Sequence, residues 1–173
     1  NRSGETSRLL TLIIEAASVS LSEAIAGLDN LRTTTTAPWM GVRTMRADGQ
    51  EGFVAGSGLI ANNSASRVQF SAAGPSVLSF YWKVSSEPRR DAVQLFVNGR
   101  PVLDAATRTL VVLSGESSWE QRKVRLPRGT SAVEFRYQKD GALSEGLDRA
   151  WVYGIKIGQP PVFPRGLESL KVP

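Results

Sequence analysis

The sequence has neither cysteine nor histidine among its 173 residues. These two absences exclude disulfide frameworks, cysteine nucleophiles, Ser-His-Asp triads and the usual zinc sites. Any bound metal would therefore have to be a hard cation with oxygen ligands, such as calcium. The function classes left open rely on backbone, carboxylate, amide, cationic and aromatic groups.

Long apolar runs and a strong charge bias are also missing. The run Leu9–Ile14 is too short for a signal peptide, and no run reaches the roughly 18 to 20 residues of a membrane span. The net charge of +5 is compatible with an anionic partner. However, the basic residues are spread along the chain, so nucleic acid is not a predicted partner. Because the chain begins at Asn1 rather than Met, we expect a piece of a longer protein.

The clearest pattern in the chain is the stretch Val77–Ser86, VLSFYWKVSS. Read with a period of two, it gives one large apolar face and one mixed face, which predicts a half-buried strand. We expect Trp82 to lie in the core. Gly74-Pro75 is predicted to open this strand, since proline can begin a strand but not continue inside one. The apolar face is Leu78, Phe80, Trp82 and Val84, and the mixed face includes Tyr81 and Lys83.

Shorter apolar alternations, separated by turn residues, fill the rest of the chain. Together they indicate an all-β fold, a two-sheet antiparallel β-sandwich (jelly roll) with one short helix near the start. The helix is predicted over Glu23–Leu28, capped by Ser20 or Ser22 and closed by Asp29-Asn30. Asn98-Gly99 is a two-residue hairpin signal. Trp151 shares one face of the last strand with Tyr153, Ile155 and Ile157 and is predicted to be a core residue. The predicted strands are Gly41–Arg46, Phe53–Ile60, Ser66–Ser71, Asp91–Val97, Pro101–Leu103, Thr109–Leu113, Trp119–Leu126, Ala132–Tyr137 and Trp151–Ile157.

Three segments are predicted along the chain. Residues 21–157 form the jelly-roll domain. Residues 1–20 hold a linker and the terminal strand of a preceding module, Leu9–Glu15, while residues 158–173 hold a Pro-rich linker and the start of a following module, Leu167–Val172. The alternative is that these two terminal strands pair with each other or with another copy of the chain, because an unpaired apolar strand normally has a partner.

Several short motifs then occur in a recognisable order: Leu21-Ser22-Glu23-Ala24, Ala37-Pro38-Trp39, Gly74-Pro75, Trp82-Lys83-Val84-Ser85-Ser86-Glu87, Val97-Asn98-Gly99, Lys139-Asp140 and Trp151-Val152. This order resembles a jelly-roll module of large secreted or surface proteins of bacteria. That module is similar to MAM and cleaved-adhesin domains and to concanavalin-like carbohydrate-binding modules. The resemblance implies an extracellular module of a multidomain surface protein, flanked by pieces of immunoglobulin-like repeats.

The same resemblance raises the question of a structural calcium ion. Related modules commonly have an acidic pair after the Trp-Val of the last strand, where this chain has Tyr153-Gly154. The remaining candidate ligands are Glu23, Asp29 and Asp148, an incomplete set for a cation that takes about six to eight oxygens. No other cofactor is predicted.

The mixed face of the central strand is the predicted ligand-binding surface. Tyr81 and Lys83 are expected to share it with Gln94 and Phe96 of the next strand and with Arg136 further along. Jelly-roll modules often hold their ligand on such a surface, and the alternative is an ordinary solvated face. Trp119 is equally compatible with ligand binding and with packing.

No pair of carboxylates, phosphate loop or nucleophile–base arrangement indicates catalysis. We therefore expect a non-catalytic extracellular binding or adhesion module for carbohydrate or a cell-surface polymer. The alternative is a structural or assembly module, a spacer or filament subunit that associates with neighbouring modules or with itself through its terminal strands.

Overall fold

The computed structural model describes residues 18–141 and 144–159. The predicted terminal strands Leu9–Glu15 and Leu167–Val172 lie outside these residues. The described part contains one helix, α1, and ten strands. Their bounds are β1 Ser18–Val19, α1 Leu21–Ala24, β2 Asp29–Thr33, β3 Met40–Met45, β4 Glu51–Gly56, β5 Ala65–Ser85, β6 Ala92–Val97, β7 Arg100–Pro101, β8 Val112–Ser114, β9 Glu120–Gln138 and β10 Arg149–Gly158.

The two longest strands, β5 and β9, organise the fold. They pair antiparallel from Ala65–Gln138 to Trp82–Glu120, with a register shift between Gly74 and Ser76. Residues 65–73 and 129–138 belong to sheet I, in which β2 joins β5, β6 joins β9, and β7 and β8 join β6. Residues 76–85 and 120–126 belong to sheet II, which continues in the order β10, β4, β3 and β1. The pairing of β5 with β9 therefore connects both sheets, with its one irregularity between Gly74 and Ser76.

The two sheets face each other across one apolar core. The ring of Phe80 in sheet II lies 4.8 Å from that of Phe135 in sheet I, centroid to centroid, at 77°. Phe70, on the other half of β5, also packs near Phe135, at 6.3 Å. Residues on both halves of β5 thus meet the same ring, which requires the halves to lie face to face. Trp82 is fully buried in this core. The predicted β-sandwich and the core position of Trp82 are both confirmed.

The predicted role of Gly74-Pro75 as a strand start is wrong. The pair, joined by a cis peptide bond, lies inside β5, where the register shift interrupts the ladder. Pro75 has no N–H to donate, and at a bulge this costs no ladder bond. Gly74 lies so close to the backbone of Pro127 on β9 that a Cβ atom would collide with it. Both strands pass from one sheet to the other at this point. The predicted strands Ser66–Ser71 and Val77–Ser86 are therefore joined in β5, and Trp119–Leu126 and Ala132–Tyr137 are joined in β9.

The remaining local signals were mostly right. Ser20 caps α1, and its backbone N–H donates to the Glu23 carboxylate at 2.8 Å in a capping box. The helix is shorter and begins earlier than predicted, at Leu21–Ala24 with Ile25 as its C-cap, and Asp29-Asn30 begins β2 rather than closing a helix. Asn98 and Gly99 have φ angles of 52° and 75°, as the predicted hairpin requires. Within the described ranges, no helix is long and apolar enough to cross a membrane.

Candidate functional site

The outer face of sheet II carries four aromatic side chains in one cluster, which we call the aromatic patch: Tyr81, Trp119, Trp151 and Tyr153. Tyr81 of β5 and Tyr153 of β10 are register partners, and their rings stack at 5.1 Å and 17°. The Trp119 ring meets Tyr153 edge-on at 4.8 Å. Trp151 and Tyr153 are buried, whereas Tyr81 and Trp119 are half-buried. The patch is therefore open to solvent mainly at Tyr81 and Trp119.

Lys83 lies between the two indole rings of the patch. Its register partner is Trp151, and its Nζ atom lies 4.7 Å from the Trp151 ring centroid and 4.9 Å from that of Trp119. Both distances are within cation–π range. Burial lowers the pKa of the Lys83 amine from its ordinary value. The rings thus fix a cation at the surface of the patch and remove part of its hydration.

The turn between β3 and β4 holds one side of the aromatic patch. The Trp119 indole N–H donates to the Met45 carbonyl at 2.8 Å, and the Ala47 N–H donates to the Tyr153 hydroxyl at 3.0 Å. The Arg46 guanidinium lies 5.8 Å from the Tyr153 ring centroid. Burial raises the pKa of the Tyr153 phenol. These bonds set the ring orientations before any ligand arrives.

A cleft of about 430 Å³ opens beside Lys83 and Trp151. Its far wall is polar: the Ser85 hydroxyl donates to Glu116 at 2.5 Å and accepts from the Leu147 N–H at 2.8 Å. Ser117 also lines the cleft. An indole face, an ammonium group, hydroxyls and a carboxylate therefore meet at one concave surface. Such a combination can contact both the apolar and the hydroxyl-bearing sides of a small polar ligand.

The structure does not bring all six predicted binding residues together. Tyr81, Lys83 and Trp119 meet at the aromatic patch on sheet II, but Gln94, Phe96 and Arg136 lie on sheet I. The prediction took β6 as a neighbour of the Tyr81 end of β5, whereas β6 pairs with the 129–138 part of β9. The prediction that all six residues share one surface is therefore wrong.

The three residues on sheet I form part of a surface that is already paired. The Arg136 guanidinium lies 3.9 Å from the Phe96 ring centroid and makes a 2.5 Å ion pair with Glu134. Glu134 also pairs with Arg67 at 3.7 Å. Gln94 is the register partner of Arg136. Glu134 and the Phe96 ring satisfy the charge of Arg136, so we do not include this surface in the candidate site.

Trp151 is buried, as predicted, but with Tyr153 it packs in a second cluster around Val54 on the outer face of sheet II rather than in the core between the sheets. Their neighbours Ala150 and Val152 point into the core instead, and Val152 is the register partner of Trp82. Because the large Trp82 side chain fills the core side at this position, its register partner on β10 has to be smaller than an aromatic residue. The small residues at 150 and 152 were the signal that could have revealed this orientation.

The predicted calcium ligands do not gather at one point. The Glu23 carboxylate is used by the capping box, and hydrogen bonds from Ser20 lower its pKa. Asp29 is exposed at the start of β2. Asp148 pairs with the buried Lys139 at 2.5 Å. The set fails because each residue belongs to a different local structure.

A different group of acids does gather, which we call the acidic cluster: Glu87, Asp91 and Asp140, with carboxylate oxygens within 4.8 Å of one another. Asp91 is fully buried, and its Oδ1 accepts from the Asp140 N–H at 2.9 Å. The Oδ2 atom of Asp91 and the Oε2 atom of Glu87 are buried without a hydrogen-bond donor.

Two cations stand near the acidic cluster. Lys139 lies 3.8 Å from Asp91, and Arg90 lies 3.6 Å from Asp140. Desolvation and the carboxylates of Asp140 and Asp91 raise the pKa of Glu87. Lys139 and Arg90 therefore offset only part of the acidic charge. The carboxylate oxygens of Glu87 and Asp91 that accept no hydrogen bond are ligands of the kind that a hard cation prefers.

Known proteins resemble this chain in structure rather than in sequence. No family model and no curated protein sequence matches it. The secreted serine protease VesC of Vibrio cholerae superposes with a TM-score of 0.55 at 14% identity, over 82% of this chain. The K2 cleaved adhesin domain of Lys-gingipain superposes with a TM-score of 0.54 at 14% identity, over 84% of this chain. The K3 cleaved adhesin domain of the same protein, from Porphyromonas gingivalis w83, gives 0.50 at 14% identity, over 83% of this chain.

The chain spans 27% of the length of VesC but 99% and 98% of the two adhesin domains. Carbohydrate-binding modules of the β-sandwich type are also structural neighbours, at TM-scores of 0.45 and 0.42, too low to support an argument. At these identities the likeness shows the fold alone. The predicted resemblance to cleaved-adhesin domains is thus confirmed at the level of fold.

Proposed function

We propose that this chain is a non-catalytic binding module of an extracellular multidomain protein, and that it binds carbohydrate through the aromatic patch and its cleft. The observation that carries the proposal is the position of Lys83 between Trp119 and Trp151, beside a concave surface with hydroxyl and carboxylate groups. The adhesin-like fold supports a binding role, because such a fold presents its outer sheet faces to partners.

The chemistry of the patch suits a sugar ring. A pyranose presents a C–H face that packs on an aromatic ring and hydroxyl groups that need hydrogen-bond partners. Trp119 and Tyr81 are the half-buried rings that a ligand can reach. Lys83 donates, whereas Glu116 and the serine hydroxyls of the cleft can accept. The ordered hydrogen bonds to Trp119 and Tyr153 reduce the entropy lost on binding.

A glycan array followed by titration calorimetry tests this proposal. We expect Trp119→Ala and Lys83→Ala each to weaken binding of the selected glycan about tenfold, because each removes ligand contacts worth about 1.4 kcal/mol. Arg136→Ala on sheet I is the matched control and should bind like the original chain. The proposal fails if no arrayed carbohydrate binds, if both patch variants bind unchanged, or if the control loses as much affinity as they do.

We also propose that the acidic cluster holds a structural calcium ion. The support is the pair of buried carboxylate oxygens on Asp91 and Glu87 that accept no hydrogen bond, the Asp91 oxygen having only Lys139 at 3.8 Å, together with the desolvation and repulsion that raise the pKa of Glu87. A cation between the three carboxylates would relieve that repulsion and fix the loop before β6 to the end of β9. The role is structural and independent of the aromatic patch.

A further inference from the structure

A second concave surface lies on sheet II away from the cleft, beside residues 120–126 of β9. It is a groove of about 830 Å³ lined by Val77 and Ser79 of β5 and by Val102 and Leu103 on its other side. Four cationic residues also line this groove, which we therefore call the basic groove. They are Arg122, Lys123, Arg125 and Lys156.

The strand register sets the spacing of these cations. Lys123 and Lys156 are the register partners of Ser79 on its two sides. Because adjacent strands are about 4.8 Å apart, the backbones of Lys123 and Lys156 are about 10 Å apart. Arg125 is two residues beyond Lys123 on β9, or about 7 Å along the strand. The charges therefore form an array rather than a single point.

Most of this positive charge has no counter-charge nearby. Within the described part of the chain, the side chains of Lys123, Arg125 and Lys156 make no ion pair or hydrogen bond, whereas Arg122 pairs with Glu120 at 2.6 Å. Among the described residues that line the groove, Asp104 is the only acid. The Ala106 and Thr107 N–H groups, each at 2.9 Å, satisfy its carboxylate. The groove thus has an excess of positive charge that attracts anions.

We propose that the basic groove binds an acidic polysaccharide, a chain of sugars bearing carboxylate or sulfate groups. Unpaired cations about 7 to 10 Å apart suit the repeated charges of a polymer better than one small anion. Val77, Val102 and Leu103 supply apolar contacts for the C–H faces of the sugars. Among the described residues no aromatic ring lines the groove, so this part of the surface offers a single-stranded nucleic acid no base stacking. The proposal does not depend on ligand binding at the aromatic patch.

The test compares two triple variants of the full chain in calorimetric titrations with heparin and with polygalacturonate. Lys123→Gln, Arg125→Gln and Lys156→Gln together remove the unpaired charges of the groove. The matched control, Arg32→Gln with Arg89→Gln and Arg100→Gln, removes three exposed charges elsewhere. We expect the groove variant to bind at least one polysaccharide about tenfold more weakly at about 50 mM salt. The control should stay within about threefold, and about 300 mM salt should weaken the original chain more than the groove variant.

Further measurements cover the competing interpretations. Trp119→Ala should bind the acidic polysaccharide normally, so failure at the aromatic patch leaves this result intact. The proposal is overturned if neither polysaccharide binds, if both triple variants weaken equally, or if the groove variant binds unchanged. Tighter, groove-dependent binding of single-stranded DNA would assign the groove to nucleic acid instead. A groove variant that self-associates on size exclusion yet keeps its affinity would show that these cations only protect a strand edge.

Discussion

Two tryptophans of this chain show how much a side chain's role depends on its environment. Trp82 is fully buried, and its ring meets Phe80 edge-on at 5.4 Å in the core between the sheets. Trp119 is half-buried on the outer face of sheet II and bonds to Met45 through its indole N–H. The first ring therefore contributes mainly to stability, while the second is available for binding.

Replacement of each ring by alanine should separate these roles. We expect Trp82→Ala to lower the free energy of unfolding by about 3 to 5 kcal/mol, because it leaves a large cavity. Trp119→Ala should cost about 1 kcal/mol, because solvent fills the space that it leaves. Thermal denaturation followed by circular dichroism measures both, and Trp82→Ala should melt about 10 °C or more below the original chain. Equal melting temperatures for the two variants would contradict the core position of Trp82.

The long strands β5 and β9 show what could and could not be predicted for an element. The alternation Leu78, Phe80, Trp82, Val84 is local, so it specified the buried face correctly. The passage of β5 through Gly74-Pro75 depends on a partner strand that bends at the same place, 50 residues or more away in the chain. A local pattern contains no such information, and the turn signals at Pro75 and Pro127 were therefore interpreted as strand ends. Because of the same error, β6 was predicted beside the Tyr81 end of β5, and the six predicted binding residues were assigned to one surface although they lie on two sheets.

The close approach of Gly74 to β9 gives a prediction for this crossing point. A Cβ atom at position 74 would collide with the Pro127 carbonyl, which is backbone and cannot rotate away. We expect Gly74→Ala to lower the free energy of unfolding by about 2 kcal/mol or more, as overpacking does. Gly158→Ala is the control, because a Cβ atom there meets nothing within 4 Å. Urea denaturation gives both values. A Gly74→Ala chain as stable as the control would mean that β5 and β9 separate freely here.

The acidic cluster links the loop before β6 to the end of β9, and this link gives a metal-dependent prediction. With a dissociation constant of about 0.1 to 1 mM, typical of extracellular calcium modules, about 10 mM calcium should stabilise the fold by about 1.5 to 3 kcal/mol. Differential scanning fluorimetry with calcium and then with excess chelator measures this effect. Glu87→Gln should abolish the response, while Glu51→Gln, which pairs with Arg43 far from the cluster, should retain it.

The pH dependence of the calcium response follows from the raised pKa of Glu87. A group with a raised pKa holds its proton to higher pH, and the proton competes with calcium. The stabilisation by calcium should therefore shrink as the pH falls through the pKa of Glu87 and be largest near neutral pH. A melting temperature that does not respond to calcium at pH 7 would contradict the proposed site.

For the whole molecule, the sequence predicted the class of fold better than the location of its sites. Strand alternation and turn chemistry are local properties, and they led to the sandwich. The candidate sites arise where distant segments meet, as at Tyr81 with Tyr153 or Lys123 with Lys156. Residues become register partners only when their strands are neighbours in a sheet, and no single stretch of sequence encodes the order of the strands. The basic groove was not predicted for the same reason, since Lys156 is distant in the sequence from Arg122, Lys123 and Arg125 and comes near them only in the sheet.

The final prediction concerns the limits of the folded unit. Among the described residues, the buried residues of the main core extend from Ile25 to Val152. We expect a chain trimmed to 18–159 to unfold cooperatively at the melting temperature of the full chain within about 3 °C, because 1 kcal/mol shifts the melting temperature of a domain of this size by about 2 to 5 °C. Calorimetry measures the transition, and size exclusion of both chains measures their association. A much lower melting temperature, or self-association of the full chain alone, would show that the terminal segments take part in folding or assembly. That result would favour the structural-module alternative over an independent binding domain.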